Sequence, residues 1–421
     1  PGAEPIAQAY AGHQFGHFTN LGDGRAILLG EQLAPDGRRF DIQLKGAGRT
    51  RYSRGGDGRA ALGPMLREYI VSEGMHALGI PTTRSLAVAA TGEAVLRSTP
   101  LPGAVLVRVA ASHIRVGTFQ FAAAVGDPRL PAALLDHAIA RHDPDLADDS
   151  DRAVAFLDAV VARQADLVAS WMLVGFVHGV MNTDNMAVSG ETIDYGPCAF
   201  LDTYDPGTVF SSIDRDGRYA YANQPAIAHW NLARLAESLL PLVPGDETAA
   251  VEALRAPLAR FPERYAASHL RHARAKLGLV TDEAGDADLF AALLARMHET
   301  RADFTATFAN LTRHAGGDAG AGAAAGAEPL GDWLAVWRAR LARQPGAPGE
   351  AAARMRQVNP VVIPRNHRVE EALFAAETGD LAPLHRLLAA LRNPFAETPE
   401  NEPYRSGPPA GCGPYRTFCG T

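Results

Sequence analysis

The sequence has 421 residues and almost no lysine: of its 40 Lys+Arg, 38 are Arg, and only Lys45 and Lys276 are Lys. Cysteine is scarce as well, with three in the chain. So few cysteines exclude a disulfide framework and suit a reducing compartment. No apolar run approaches the roughly 18 residues that a membrane span requires. A basic excess is also lacking. The 47 Asp+Glu leave a formal net charge of -7, which argues against a dedicated nucleic-acid binder. At 47% hydrophobic and 21% charged residues, the composition is globular.

The Arg-for-Lys ratio reads as the coding bias of a GC-rich genome. Against it the two lysines become informative, because a guanidinium does not replace a compact ammonium. The chain begins at Pro1, and a functional-looking motif starts by Tyr10, so a preceding N-terminal segment is expected. No secretory or transit pattern is visible in these residues. Length alone predicts roughly two to three domains.

The first 120 residues read as strands around one helix. Ala26 to Leu29 and Phe40 to Leu44 are short apolar or alternating runs, and Pro35-Asp36-Gly37 between them signals a hairpin turn. Leu62, Met65, Leu66, Tyr69 and Ile70 recur at helical spacing and predict a helix over 59–78. Further strands are expected at 85–90 and 104–109. Beyond residue 120 the pattern turns helical, with helices predicted at 152–174, 226–240, 249–277, 286–310, 330–343, 367–377 and 381–392. A strand–turn–strand piece is expected over Met186–Asp194, with Ser189-Gly190 at its turn. Residues 314–328 are low in complexity and read as a loop, and no periodicity follows Phe395. The resulting expectation is an α+β, bilobal, protein-kinase-like fold. Residues 1–117 would form a small β-rich, nucleotide-binding lobe, 118–395 a helical lobe, and 396–421 a tail carrying Cys412 and Cys419.

Two motifs carry the chemistry in that frame. His178-Gly179-Val180-Met181-Asn182-Thr183-Asp184-Asn185 keeps the seven-residue offset from His to Asn of a kinase catalytic loop, H-x-D-x-x-x-x-N. Asp194-Tyr195-Gly196 then falls in the D-F-G slot. Asn185 and Asp194 supply a carbonyl oxygen and a carboxylate, hard donors suited to Mg²⁺ held with nucleotide phosphates. Singly, either would read as a turn residue; in this order and spacing they read as a metal pair. The loop departs from the kinase pattern at Val180, which stands where the catalytic Asp should be and cannot accept a proton. An acid returns at Asp184, beside Asn185.

Lys45 ends a predicted strand, where a kinase keeps its phosphate-binding lysine. Glu68 follows 23 residues later inside the predicted helix, where the partner carboxylate belongs. Gly22-Asp23-Gly24-Arg25 and Arg54-Gly55-Gly56-Asp57-Gly58-Arg59 flank that strand, and glycines let backbone amides approach phosphates. Neither is a P-loop. Arg108 and Arg115 are candidate phosphate contacts. In the Tyr10–Phe18 stretch, His13 and His17 are separated by Gly16 and make a poor metal pair. A structural or substrate-contacting role is expected there. The cysteines form no zinc pattern.

Together the segments YAGHQFGHF, LGDGRAILLGEQL, LKGAGRTRYSRGGDGRAAL, LREYIVSEGMHALGIPTTRSLA, HGVMNTDNM, IDYGP and LRNPF closely resemble the selenoprotein O family of protein adenylyltransferases. The resemblance implies a kinase-like fold that binds ATP in reversed orientation and transfers AMP to Ser, Thr or Tyr hydroxyls of target proteins. It further implies that Gly22, Gly24, Arg25, Lys45, Asp57 and Gly58 contact ATP, with Arg108 and Arg115 on its phosphates. Glu68 would pair with Lys45, Asp184 would accept the proton, and Asn185 and Asp194 would hold Mg²⁺ or Mn²⁺. Cys419 looks like the family's C-terminal selenocysteine or cysteine position. Some members are restrained by a disulfide from that tail; Cys198 and Cys412 are the remaining cysteines here, and no partner is assigned. A monomer in a bacterial cytoplasm is expected. A true protein kinase and a catalytically silent nucleotide-binding scaffold are the alternative readings. Val180 weighs against the first, and the retained Lys45, Glu68, Asn185 and Asp194 against the second.

Overall fold

In the computed structural model, residues 4–317, 330–409, 411–413 and 415–418 are described. Most of the low-complexity run and Cys419 lie outside them.

The N-terminal part is built on antiparallel strands. β1 (Ala11–Gln14) and β2 (His17–Asn20) form a hairpin of their own, pairing Ala11 with Asn20. β3 (Ala26–Leu33) and β4 (Arg39–Lys45) form the expected second hairpin. β5 (Ala60–Ala61) leads into α1 (Leu62–Ala77), and β6 (Arg84–Leu96) and β7 (Pro100–Ala110) follow as a long hairpin. β7 is central. One edge meets β4 at Lys45↔Leu106 and then β5 at Ala60↔Ala104; the other meets β6.

The period-2 geometry of β4 puts Asp41, Gln43 and Lys45 on one face. This polar face is the buried one, whereas Phe40, Ile42 and Leu44 are half-buried. A strand whose polar side faces inward serves a site rather than an apolar core.

The helical part comprises α2 (Val116–Ala124), α3 (Arg129–His142) and α4 (Arg152–Val174), then the short strands β8 (Phe176–Val177) and β9 (Ala199–Phe200). It continues with α5 (Gln224–Leu239), α6 (Glu247–Ala259), α7 (Phe261–Lys276), α8 (Asp286–Thr300) and α9 (Phe304–Ala315). α10 (Gly331–Leu341), α11 (Pro348–Met355), α12 (Asn366–Glu377) and α13 (Ala382–Leu391) complete it. No helix among the described residues is long and apolar enough to cross a membrane.

Three expectations are corrected. The helix expected over 249–277 is two, because Pro262 lacks the N–H that a continuous helix would need. The helix expected over 286–310 is also two. Arg301 takes a left-handed φ of 55°, and Asp303 caps α9 by accepting from Ala306 N at 2.8 Å. The piece over 186–194 keeps its turn at Gly190 but forms no ladder. Ala187 bridges Arg115 and Thr192 bridges Thr82, so its arms pair with separate neighbours. α2 and α3 were not predicted. α2 is apolar almost all round and shows no one-sided stripe.

The main core surrounds α4 through Phe156, Val160, Val168 and Trp171. A second core joins α1 (Leu66, Ile70) and β7 (Leu106) to α12 (Val369) and α13 (Leu384, Leu388). The last two helices therefore brace α1 and the sheet. Lys276 is buried in the helical part, with Nζ 4.2 Å above the Phe308 ring, and burial pulls its pKa down to about 7.

Candidate active site

One cleft of about 370 Å³ gathers residues from both halves of the chain. Gly22, Gly24 and Arg25 reach it from the approach to β3, Lys45 from the end of β4, and Asp57 and Gly58 from the loop before β5. Arg108 on β7, Arg115 just beyond it, and Asp184, Asn185 and Asp194 from the helical half complete this set. Glu68 alone among the candidates does not line it; it lies behind Lys45 on α1, 2% exposed. Val180 lines the same cleft.

The buried face of β4 and the inner face of α1 create the charge cluster. Lys45 Nζ lies 2.6 Å from Glu68 Oε2 and 2.8 Å from Asp194 Oδ1. Arg108 Nε donates to Glu68 Oε1 at 2.8 Å, and its Nη2 reaches Glu68 and also Asp194 Oδ1 at 2.7 Å. Two carboxylates and two cations thus share one buried knot. Burial works against the ionised form of both acids. Arg108 and Lys45 outweigh it at Glu68, holding that carboxyl below its usual range. At Asp194 the same two cations and Arg115 hold the carboxyl well below the ordinary value.

Asp194 carries this carboxylate on a left-handed backbone, φ 64°. For a residue with a Cβ that conformation costs roughly 1–2 kcal/mol, and it persists because three cations fix the side chain. Asp194 Oδ1 is occupied by Lys45 and Arg108, while among the described residues Oδ2 pairs only with Arg115 Nη2, at 3.7 Å. Arg115 is buried and lies 4.4 Å above the Tyr10 ring.

The loop after β8 is pinned at both ends. His178 Nε2 donates to Ile193 O at 2.9 Å, tying it to the Asp194 segment. Residues Thr183–Asn185 form a 3-10 turn. Asn185 Nδ2 donates to Val180 O at 2.9 Å, which leaves its carbonyl oxygen as the group it offers the cleft. Among the described residues no cluster of three or more His, Cys, Asp or Glu could hold a metal. The donors available here are the Asn185 oxygen and Asp194 Oδ2. That pair suits Mg²⁺, which takes few protein ligands and completes its shell with phosphates and water.

Asp184 is buried, and its Oδ1 has no hydrogen-bond partner among the described residues. Burial raises its pKa from 3.8 to about 6. A carboxylate with that value is ionised at neutral pH yet basic enough to take a proton.

The glycines admit close backbone approach. Gly22 has φ 127°, and a Cβ there would stand 2.4 Å from the Tyr52 ring; at Gly58, with φ 68°, it would stand 2.1 Å from Gly48 O. Asp57 is tied to Arg97 at 2.9 Å on the rim.

Several site residues were not read from sequence. Asp23 is buried and accepts from Gln8 N at 3.1 Å and Gln43 Nε2 at 3.2 Å. Gln43 also accepts from Arg108 Nη1 at 3.3 Å. The signal for Gln43 was available, since it shares Lys45's strand face. Tyr10 and Gln14 bring the N-terminal motif to the cleft. Cys198 is buried and free, its thiol pushed up to about 12 by burial; Cys412 is free and exposed.

A buried charge knot and a buried carboxylate thus meet in one cleft, and sequence comparison gives the chain its family. The family described as protein adenylyltransferase SelO matches residues 1–392, and the chain belongs to that family. Its class is thus that of the protein nucleotidyltransferases. Among relatives named protein nucleotidyltransferase YdiU, the one from Geobacillus kaustophilus is 60% identical over 421 residues, spanning 100% of this chain and 86% of its own. Those from Brevibacillus brevis and Halalkalibacterium halodurans are each 59% identical, over 100% of this chain and 85% of theirs.

Proposed function

We propose that this chain transfers AMP from ATP to Ser, Thr or Tyr hydroxyls of target proteins, with Mg²⁺ and with ATP reversed relative to a protein kinase. The observation that carries the reading is the exchange of roles in the loop. Val180 lines the cleft where a kinase base would stand, while the carboxylate facing the cleft with a raised pKa is Asp184.

The acceptor oxygen attacks the α-phosphorus, forming the O–P bond, and the bond from that phosphorus to the α–β bridging oxygen breaks. Pyrophosphate leaves, and the hydroxyl proton passes to Asp184. Asp184 suits this because it lines the cleft and is ionised above pH about 6. Lys45, Arg108 and Arg115 supply fixed positive charge to the polyphosphate in a buried setting, where charge stabilisation is strongest. Glu68 positions Lys45 and Arg108 and touches no substrate. Asn185 and Asp194 are the residues that would hold Mg²⁺. Bound Mg²⁺ would neutralise charge on the phosphates. Gly22, Gly24, Arg25, Asp57 and Gly58 form the rest of the nucleotide bed.

Analysis of the small co-product tests this. With ATP and a protein acceptor, the proposal expects pyrophosphate in step with protein modification and its loss in Asp194→Ala. ADP in place of pyrophosphate would overturn it.

A further inference from the structure

The Tyr10–Phe18 motif does more than line the nucleotide cleft. Its hairpin rests on the catalytic loop: His13 N donates to Thr183 Oγ1 at 2.7 Å, and Phe15 N to Asn182 Oδ1 at 3.1 Å. Tyr219 OH donates to the same Asn182 oxygen at 2.6 Å. These contacts fall immediately before Asp184.

The hairpin also carries an aromatic ledge. The His13 ring meets Phe18 at 5.4 Å and Trp230 of α5 at 5.3 Å, both edge-on, and Phe18 is 47% exposed. Trp230 holds two guanidinium groups, Arg218 at 4.9 Å and Arg234 at 4.8 Å. Arg234 is paired with Glu237 at 2.6 Å. Arg218 has no salt bridge to any described residue. The nearby Asp214 carboxylate is occupied by the backbone N–H groups of Arg218 and Tyr219, at 2.9 and 2.8 Å. The Arg218 guanidinium, which also meets the Tyr219 side chain, is stacked on an indole with no carboxylate partner among the described residues, and this leaves it able to pair with an incoming acid.

We infer that this ledge of Phe18, Trp230 and Arg218 docks the acceptor protein and favours hydroxyl residues flanked by Asp or Glu. The inference rests on the AMP-transfer reading above. The aromatic rings supply apolar contact area, and Arg218 supplies charge selection. Trp and Arg are the residue types that dominate binding energy at protein interfaces.

The test is fluorescence-anisotropy binding of defined peptides to the full chain, independent of chemistry. Each peptide carries one Ser, Thr or Tyr flanked either by Glu or by Lys. The Glu-flanked peptides should bind about tenfold more tightly, with the difference shrinking as salt rises. Arg218→Glu should reverse the preference and Arg218→Lys should keep it, with ATP affinity unchanged in both, which also reports an intact fold. Equal binding of both peptide sets, no binding of either, or a preference untouched by Arg218→Glu would overturn the ledge. AMP transfer is then scored separately on the same peptides. Binding with the predicted preference but without transfer would sink the transfer reading and leave the ledge standing. Equal transfer to both sets would sink the ledge and leave the transfer reading standing.

Discussion

Gly12 lies flat against Asp184: a Cβ on residue 12 would stand 2.1 Å from Asp184 Oδ1. The unpartnered carboxylate is therefore held from the N-terminal side by backbone alone. Gly12→Ala is expected to push Asp184 out of position, with overpacking costing about 1–3 kcal/mol in stability. Transfer should fall far more than a loss of that size explains in a protein that remains folded. Activity and thermal unfolding of the purified variant check this. Full activity would place Asp184 outside the chemistry.

Asp184 also sets a pH dependence. Its folded pKa is raised from 3.8 to about 6, so its ionised form is disfavoured in the folded state. Transfer should drop as pH falls through about 6, where the base becomes protonated. Asp184→Asn should abolish transfer. Because the unfolded state loses this proton near pH 4 and the folded state near 6, the buried charge destabilises the fold most above pH 6. The Asn variant should therefore gain more in Tm at pH 8 than at pH 5. A uniform gain or a loss at pH 8 would contradict the burial argument.

Lys45 stands between Glu68 and Asp194 in a chain whose other Lys and Arg residues are all Arg but Lys276. Lys45→Arg keeps the charge but brings a planar fork to a space filled by one ammonium. Loss of ATP affinity and transfer is expected, measured by calorimetric titration and labelling. An active Arg variant would show that only charge matters at this position.

Lys276 gives a prediction unrelated to the site. Its amine is buried over Phe308, and its pKa falls from 10.5 to about 7. Between those values the unfolded chain binds the extra proton, so this residue makes stability rise with pH from about 7 to 10. Lys276→Met should raise Tm at pH 7 and flatten that rise. Destabilisation at pH 7 would overturn the assignment of Lys276 as an uncompensated buried amine.

Much of the site was legible because spacing and rarity coincide. A lysine in an Arg-rich chain, a Glu 23 residues later in a helix, and a loop ending in Asp184-Asn185 define positions that only tertiary folding can join. Other features leave no such trace. Arg108 was read as a phosphate contact, yet it first satisfies Glu68 and Asp194, a pairing set by β7's place between β4 and β6. The arms around Gly190 looked like a hairpin because alternation signals strands but not their partners. That α12 and α13 brace α1 depends on contacts some 300 residues apart in sequence, which no local pattern encodes.

The most direct measurement uses ATP carrying distinguishable labels on its α- and γ-phosphates, incubated with the full chain and acceptor protein. The account predicts that the α-label alone becomes protein-bound and that Asp184→Asn and Asp194→Ala both lose it. Protein-bound γ-label without α-label would contradict it and identify a kinase.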